Sequence, residues 1–296
     1  MDRTTPKQDS EPTEPVVPAR EPPAHVWKPG ELEALTRERG AKPPDEPRLE
    51  IRGLSKAYGD RTVLHDVDLA VHGGELVALL GANGSGKSTA LRCVVGLTEP
   101  QGGTIYLAGR DVVGLRGAKL VTARREAAMV FQQIHLVRRR SALDNVCSGA
   151  LGRLALSRSL VPMLFPRELS EEAMACLHRV GPADRAAERA ARLSGGQQQR
   201  VAIARALCQR ASVILADEPV AALDPTAAEQ VMALLRSLAH DEGLGVATVL
   251  HQPALARRHA DRLVGLHGGR VAFDGTPAEV DAEEVDALYA PERAAA

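Results

Sequence analysis

The residues best suited to chemistry are Gly81-Ala82-Asn83-Gly84-Ser85-Gly86-Lys87-Ser88, which match the pattern G-x-x-x-x-G-K-[ST] without a misfit. Glycines at 81, 84 and 86 let the backbone curl so that successive N–H groups, with the N-terminus of the following helix, face one concavity sized for phosphate oxygens. Lys87 adds a point charge for the β- and γ-phosphates, and the Ser88 hydroxyl is placed to ligate Mg²⁺. An apolar strand over Leu76–Leu80 precedes the loop and a helical segment from Thr89 follows it, the context the motif needs. A nucleoside triphosphate is the expected ligand.

Further on, Ser212–Ala216 is an apolar run that ends in Asp217-Glu218. Asp217 matches the acidic residue that holds Mg²⁺ through water opposite a phosphate loop, and Glu218 is placed to polarise the attacking water. Gln132 ends a short strand over residues 128–131, where α/β sheets bind ligands; its amide can ligate Mg²⁺ and hydrogen-bond water. Ser194-Gly195-Gly196-Gln197 opens another helix. Ser194 reads as an N-cap, but two glycines just past a cap are costly in a helix and imply a close backbone approach, a second anion site. His251 ends the strand over residues 245–250 and reads either as structural or as a phosphate ligand. Tyr58, about 23 residues ahead of the loop, reads as a turn residue or as a platform for an adenine ring.

The elements that must position these groups alternate strand and helix. Period-2 patterns over Leu49–Leu54 and Val63–Val71 predict half-buried strands, and short strands are expected over 104–107, 261–266 and 270–273. Residues 134–192 lose the strand pattern and predict a helical insert, with Ser170 as N-cap and Gly181-Pro182 as stop. Asp224 and Pro225 fit the N-cap and N1 positions of a helix buried along Val231, Leu234, Leu235 and Leu238. Leu160–Phe165 is read either as core of the insert or as a docking surface for a partner. Arg138-Arg139-Arg140 is read as a solvated face or as a lipid or partner contact.

Composition bounds the rest. Ten of the 19 prolines fall in residues 1–47, mixed with charge, which predicts a disordered tail and no signal peptide. The ordered domain is expected over 48–280, with its helical part at about 134–210, and a second tail over 281–296. The formal net charge of -1 offers no field that favours nucleic acid. Four cysteines far apart in sequence form no C-x-x-C pair and read as reduced apolar residues. No run of apolar residues is long enough to span a bilayer.

The order phosphate loop, Leu193-Ser194-Gly195-Gly196-Gln197, Ile214–Pro219, Leu223-Asp224-Pro225 and His251 resembles the ATP-binding cassette (ABC) family over residues 48–280. The resemblance implies an α/β fold: a P-loop ABC ATPase with a mixed RecA-like core, an antiparallel β subdomain and a helical signature subdomain. It also implies a homodimer in which each ATP lies between one phosphate loop and the partner's signature. By that resemblance Ser194, Gly195 and Gly196 act on the γ-phosphate in trans, Gln132 senses Mg²⁺ and water, Glu218 is the catalytic base, His251 holds the γ-phosphate and Asp224 touches the facing subunit. Ala222 departs from the usual serine there.

Phe131-Gln132-Gln133, Leu136-Val137, Leu143–Val146, Gly149–Gly152 and Leu164-Phe165-Pro166 are most similar to ATPases of phosphonate importers, with Ile134-His135 in place of the usual Phe-Asn and an unusual Pro253. The implied partners are integral-membrane permease subunits and a substrate-binding protein, at the cytoplasmic face of the membrane. Polar amino acids are the alternative cargo, and an accessory ATPase of a phosphonate-degrading complex is a further alternative. Cassette ATPases of DNA repair carry long coiled coils between Gln132 and the signature; the insert of about 60 residues is too short for one.

Overall fold

A computed structural model describes residues 46–154 and 165–289. Two sheets divide the labour. The first is antiparallel, in the order β2-β1-β4-β5, from β1 (Leu49–Tyr58), β2 (Arg61–Val71), β4 (Gly102–Leu107) and β5 (Arg110–Asp111). Its alternation is interrupted where Gly53 and Asp66 take positive φ and the β1–β2 register shifts. Leu64 and Val67 thereby stay buried although three residues apart.

The second sheet runs β10-β9-β3-β8-β7-β6. Its strands are β3 (Leu76–Leu80), β6 (Ala127–Val130), β7 (Val213–Asp217), β8 (Gly245–Val249), β9 (Arg262–His267) and β10 (Arg270–Gly275). All neighbours pair parallel except β9 and β10. Strands β3, β7 and β8 are buried at every position. That is why they read as continuous apolar runs instead of alternating ones. The parallel order puts the carboxyl ends of β3, β7 and β8, with Gly81, Glu218 and His251 just beyond, on one edge.

Helices α1 (Lys87–Val94) and α2 (Gly117–Arg124) follow the loop and β5. The insert contributes α3 (Ala142–Cys147), α4 (Arg167–Val180) and α5 (Gly195–Cys208), which pack on one another. Helix α4 starts earlier than expected: Pro166 occupies the N-cap, and Ser170 is buried inside the first turns. Gly181 ends it at φ 114, as expected of a stop residue. Phe165 is buried in the core shared by insert and sheet, so at this residue the core reading holds; Leu160–Leu164 lie outside the described residues. The N-terminal tail through residue 45 lies outside them too.

Helix α6 (Pro225–Glu242) has Asp224 at its N-cap, accepting from Ala227 N–H at 2.9 Å, and buries Val231, Met232, Leu235 and Leu238. Leu234 of the expected stripe is only half-buried. Helix α7 (Pro253–His259) begins at Pro253; a proline at N1 lacks only an N–H that no helix would use.

The fold also continues past residue 280, where the sequence suggests a tail. Helix α8 (Ala282–Ala287) is closed by a capping box between Asp281 and Glu284, and Val285 and Leu288 are buried in the main core. Arg257 of α7 donates to the carbonyls of Pro277 and Val280, at 2.7 and 2.8 Å, and ties this segment down. The acidic surface of residues 281–286 masks the signal, because only a few apolar positions, Val285, Leu288 and the half-buried Tyr289, carry the docking.

Candidate functional site

The phosphate loop joins β3 to α1 in a conformation only glycine permits. Gly81 has φ 144, and a Cβ there would stand 2.2 Å from the Leu266 carbonyl oxygen. Gly86 caps α1 at φ 104, where a Cβ would meet Leu64 at 2.5 Å. Lys87 is buried, and its Nζ donates to the carbonyls of Gly81 and Ala82, both at 2.8 Å, and to Ser85 Oγ at 3.2 Å. Burial pushes its pKa down, and the nearby Glu218 and Asp217 carboxylates oppose that.

Facing the loop, Ser88 Oγ donates to Asp217 Oδ1 at 2.6 Å, joining groups 129 residues apart in sequence. A hydroxyl and a carboxylate together are hard oxygen donors of the kind Mg²⁺ takes alongside phosphate oxygens and water. Among the described residues no cluster of three or more His, Cys, Asp or Glu could hold a metal alone. The donor set therefore fits an ion that arrives with a nucleotide's phosphates.

Glu218 leaves β7 in the left-handed region, at φ 51, which turns its carboxylate out of the strand's alternation. That carboxylate accepts from His251 Nε2 at 2.6 Å. A cleft of about 330 Å³ is lined by Tyr58, Asn83, Gly84, Gly86, Lys87, Ser88 and Thr89 together with Glu218 and His251. Tyr58 is exposed at the end of β1, with the Lys56 ammonium 4.9 Å from its ring centroid, so a ring face remains for a second planar group.

Not every expected residue converges here. Gln132 is exposed in the segment after β6 and is absent from the described lining of this cleft. Ser194–Gln197 and Asp224 open α5 and α6 elsewhere. Ser194 and Gln197 form a capping box, with Ser194 N–H donating to Gln197 Oε1 at 2.9 Å. Gly195 and Gly196 have no positive φ, and a Cβ on either would meet Leu223 or Ala227 at 3.5 and 3.4 Å, the distance of ordinary contact. Among the described residues nothing demands glycine at the exposed position 195 or the half-buried position 196.

Two residues of the cleft escaped sequence reasoning. Arg61 and Val63 line it; the only signal for them was their closeness in sequence to Tyr58. A second, larger concavity of about 580 Å³ lies between α2, β6 and the insert, lined by Leu97, Val121, Met129, Phe131 and Arg205 among others. His135 on its wall takes φ 47, a left-handed conformation that His, like the more usual Asn, adopts more readily than most residues.

A family model described as ABC transporter matches residues 64–221, more than half of the chain.

The chain belongs to the ABC transporter family.

It is 48% identical over 240 residues to the phosphonates import ATP-binding protein of Frankia casuarinae, covering 81% of this chain and 94% of that one. The hypophosphite import ATP-binding protein of Stutzerimonas stutzeri is 46% identical over 241 residues, covering 81% of this chain and 70% of that one. Among solved structures, a dimeric post-hydrolysis ATP-binding cassette bound to ADP and Pi superposes with a TM-score of 0.67 at 34% identity, over 77% of this chain and 98% of that one. A cassette from Clostridium perfringens superposes with a TM-score of 0.71 at 27% identity, over 82% and 93%. The expected fold class, a mixed core sheet with an antiparallel β subdomain and a helical signature subdomain, is the one observed.

Proposed function

We propose that this cassette is the ATP-hydrolysing subunit of an importer for phosphonates or related phosphorus oxyanions, working as a homodimer bound to membrane permease subunits. The observation that carries the ATPase reading is the pairing of Glu218 with His251 at the mouth of the phosphate loop. Sequence places these groups 33 residues apart, and the sheet edge brings them together. The relatives' names, one for phosphonates and one for hypophosphite, support a cargo class of small phosphorus oxyanions.

In this reading the loop N–H groups and Lys87 hold the phosphates, and a base stacks on Tyr58. Ser88 and Asp217, with Gln132 brought in from its segment, would hold Mg²⁺, which would supply charge neutralisation for the phosphates. Glu218 takes the proton of the attacking water. His251 orients that carboxylate and contacts the γ-phosphate.

The Gly195-Gly196 pair, which packing among the described residues does not explain, faces the phosphates of a second copy's ATP, with Ser194 and Gln197 beside it and Asp224 at the seam. A dimeric relative supports that arrangement. No helix of the described residues is long and apolar enough to cross a membrane; in this reading the permease subunits form the path. We place the cassette on the cytoplasmic face, with a substrate-binding protein supplying cargo to the permease. The groove walled by the exposed Leu97 and Val121 is the seat for a permease segment.

Deleting the gene and supplying a phosphonate as sole phosphorus source tests the cargo. Growth on phosphate but not on phosphonate, restored by the wild-type gene and not by Lys87→Ala, is expected. Unchanged phosphonate uptake, with no second cassette able to substitute, overturns the cargo while leaving the ATPase reading in place.

A further inference from the structure

The cleft holds a cation that the recognised motifs leave out. Arg61 opens β2 directly across the hairpin from Tyr58, its Cα partner in the ladder. It lines the cleft together with Tyr58, Val63, Asn83 and Gly84. Its Nη2 lies 3.8 Å from where a Cβ on Gly84 would stand, and among the described residues no other atom beyond Gly84 and its chain neighbours comes within 4 Å of that point. The guanidinium therefore overhangs the bare middle glycine of the phosphate loop.

Its neighbours are already engaged. Lys87 Nζ is bonded to loop carbonyls, and Lys56 Nζ donates to the Glu99 carbonyl at 2.7 Å. Arg61 is exposed, and among the described residues no carboxylate pairs with it. An arginine without a carboxylate partner, held at a glycine turn in a phosphate cleft, offers up to five N–H donors in a planar fork that suits phosphate oxygens.

We propose that Arg61 is a further nucleotide-binding residue, contacting the base-proximal end of the phosphate chain between the Tyr58 platform and Gly84. The inference rests on the nucleotide reading of this cleft and deepens it. Because the contact is near the base-proximal phosphates, Arg61 acts on ATP and ADP alike, and because phosphate carries no base identity, it acts on GTP to the same extent.

The test uses the full-length protein and equilibrium competition against a fluorescent ATP analogue, with ATP, ADP and GTP as competitors. Arg61→Ala is expected to raise Kd for all three by about five- to twenty-fold, the effect of one charge-assisted contact in a partly solvated site. Arg61→Lys should stay within about threefold of wild type, because the charge is kept. The nucleotide-free Tm should not move in either variant. A loss confined to ATP relative to GTP would place the guanidinium on the base and overturn the proposal, as would unchanged affinity in Arg61→Ala. Lys87→Ala separates the two levels: if it too leaves affinity unchanged, the nucleotide reading of the cleft fails; if it alone loses affinity, only the Arg61 assignment fails.

Discussion

Glu218 occupies the left-handed region at φ 51, directly after the fully buried strand β7. For a residue with a Cβ this conformation costs about 1–2 kcal/mol that glycine does not incur. The side chain also accepts the 2.6 Å bond from His251, so a simple substitution would mix two effects. The clean perturbation compares Glu218→Gly with Glu218→Ala in a His251→Ala background: both lose the carboxylate, with its bond to His251 and its attraction for Lys87, and they differ only in the Cβ. Relief of the left-handed conformation contributes about 1–2 kcal/mol, and the larger entropy of an unfolded glycine offsets about 0.4–1 kcal/mol of it. The net is about 1 kcal/mol of stabilisation, which corresponds to about 2–4 °C in Tm for a fold of this size. Scanning calorimetry without nucleotide should show that rise in the Glu218→Gly, His251→Ala variant relative to the Glu218→Ala, His251→Ala variant. Ala216→Gly, two residues earlier in the buried strand, is the control and should lower stability by about 0.5–1 kcal/mol. If Glu218→Gly lowers Tm as Ala216→Gly does, the backbone at 218 is not strained. The turn is then not held there for its carboxylate.

Glu218→Gln keeps the shape and a hydrogen-bonding atom for His251 but removes the base; ATPase turnover should fall by about 10²–10⁴-fold with ATP affinity retained, and near wild-type turnover would sink the assignment. Gel filtration with ATP should show that variant accumulating as a dimer. Leu288→Ala, in the C-terminal segment that packs on the core, should cost about 2–4 kcal/mol in urea unfolding; an unchanged midpoint would return that segment to the status of a tail. All four cysteines are buried, so a thiol reagent at pH 8 should label almost none until denaturant is added. Burial pushes the Cys93 thiol up from 9.0 to about 11, so the folded state keeps a proton that the unfolded chain releases. Its contribution to stability is therefore complete below about pH 9 and is lost as pH rises toward 11, a fall that Cys93→Ala should flatten.

The chemistry was legible in the sequence because each part is local. A phosphate loop needs its glycines, lysine and serine within eight positions, and Asp217-Glu218 are contiguous because one turn of backbone carries both carboxylates to the strand end; at Ser194–Gln197 what the sequence showed was the helix start, which the capping box there bears out. The core strands were legible too, since burial on both faces leaves unbroken apolar runs in β3, β7 and β8. Long-range closure decided the rest. The Ser88–Asp217 and Glu218–His251 pairs exist because parallel register aligns the carboxyl ends of separate strands, a relation that spacing along the chain does not encode. Arg61 entered the cleft through a hairpin that folds it back beside Tyr58 and over Gly84. The C-terminal segment docks through Val285, Leu288, the half-buried Tyr289 and the Arg257 clamp, too few positions to produce a period that outweighs its acidic surface. And Phe165 joined the core, not a docking face, because the space between insert and sheet had to be filled, which only packing in three dimensions determines.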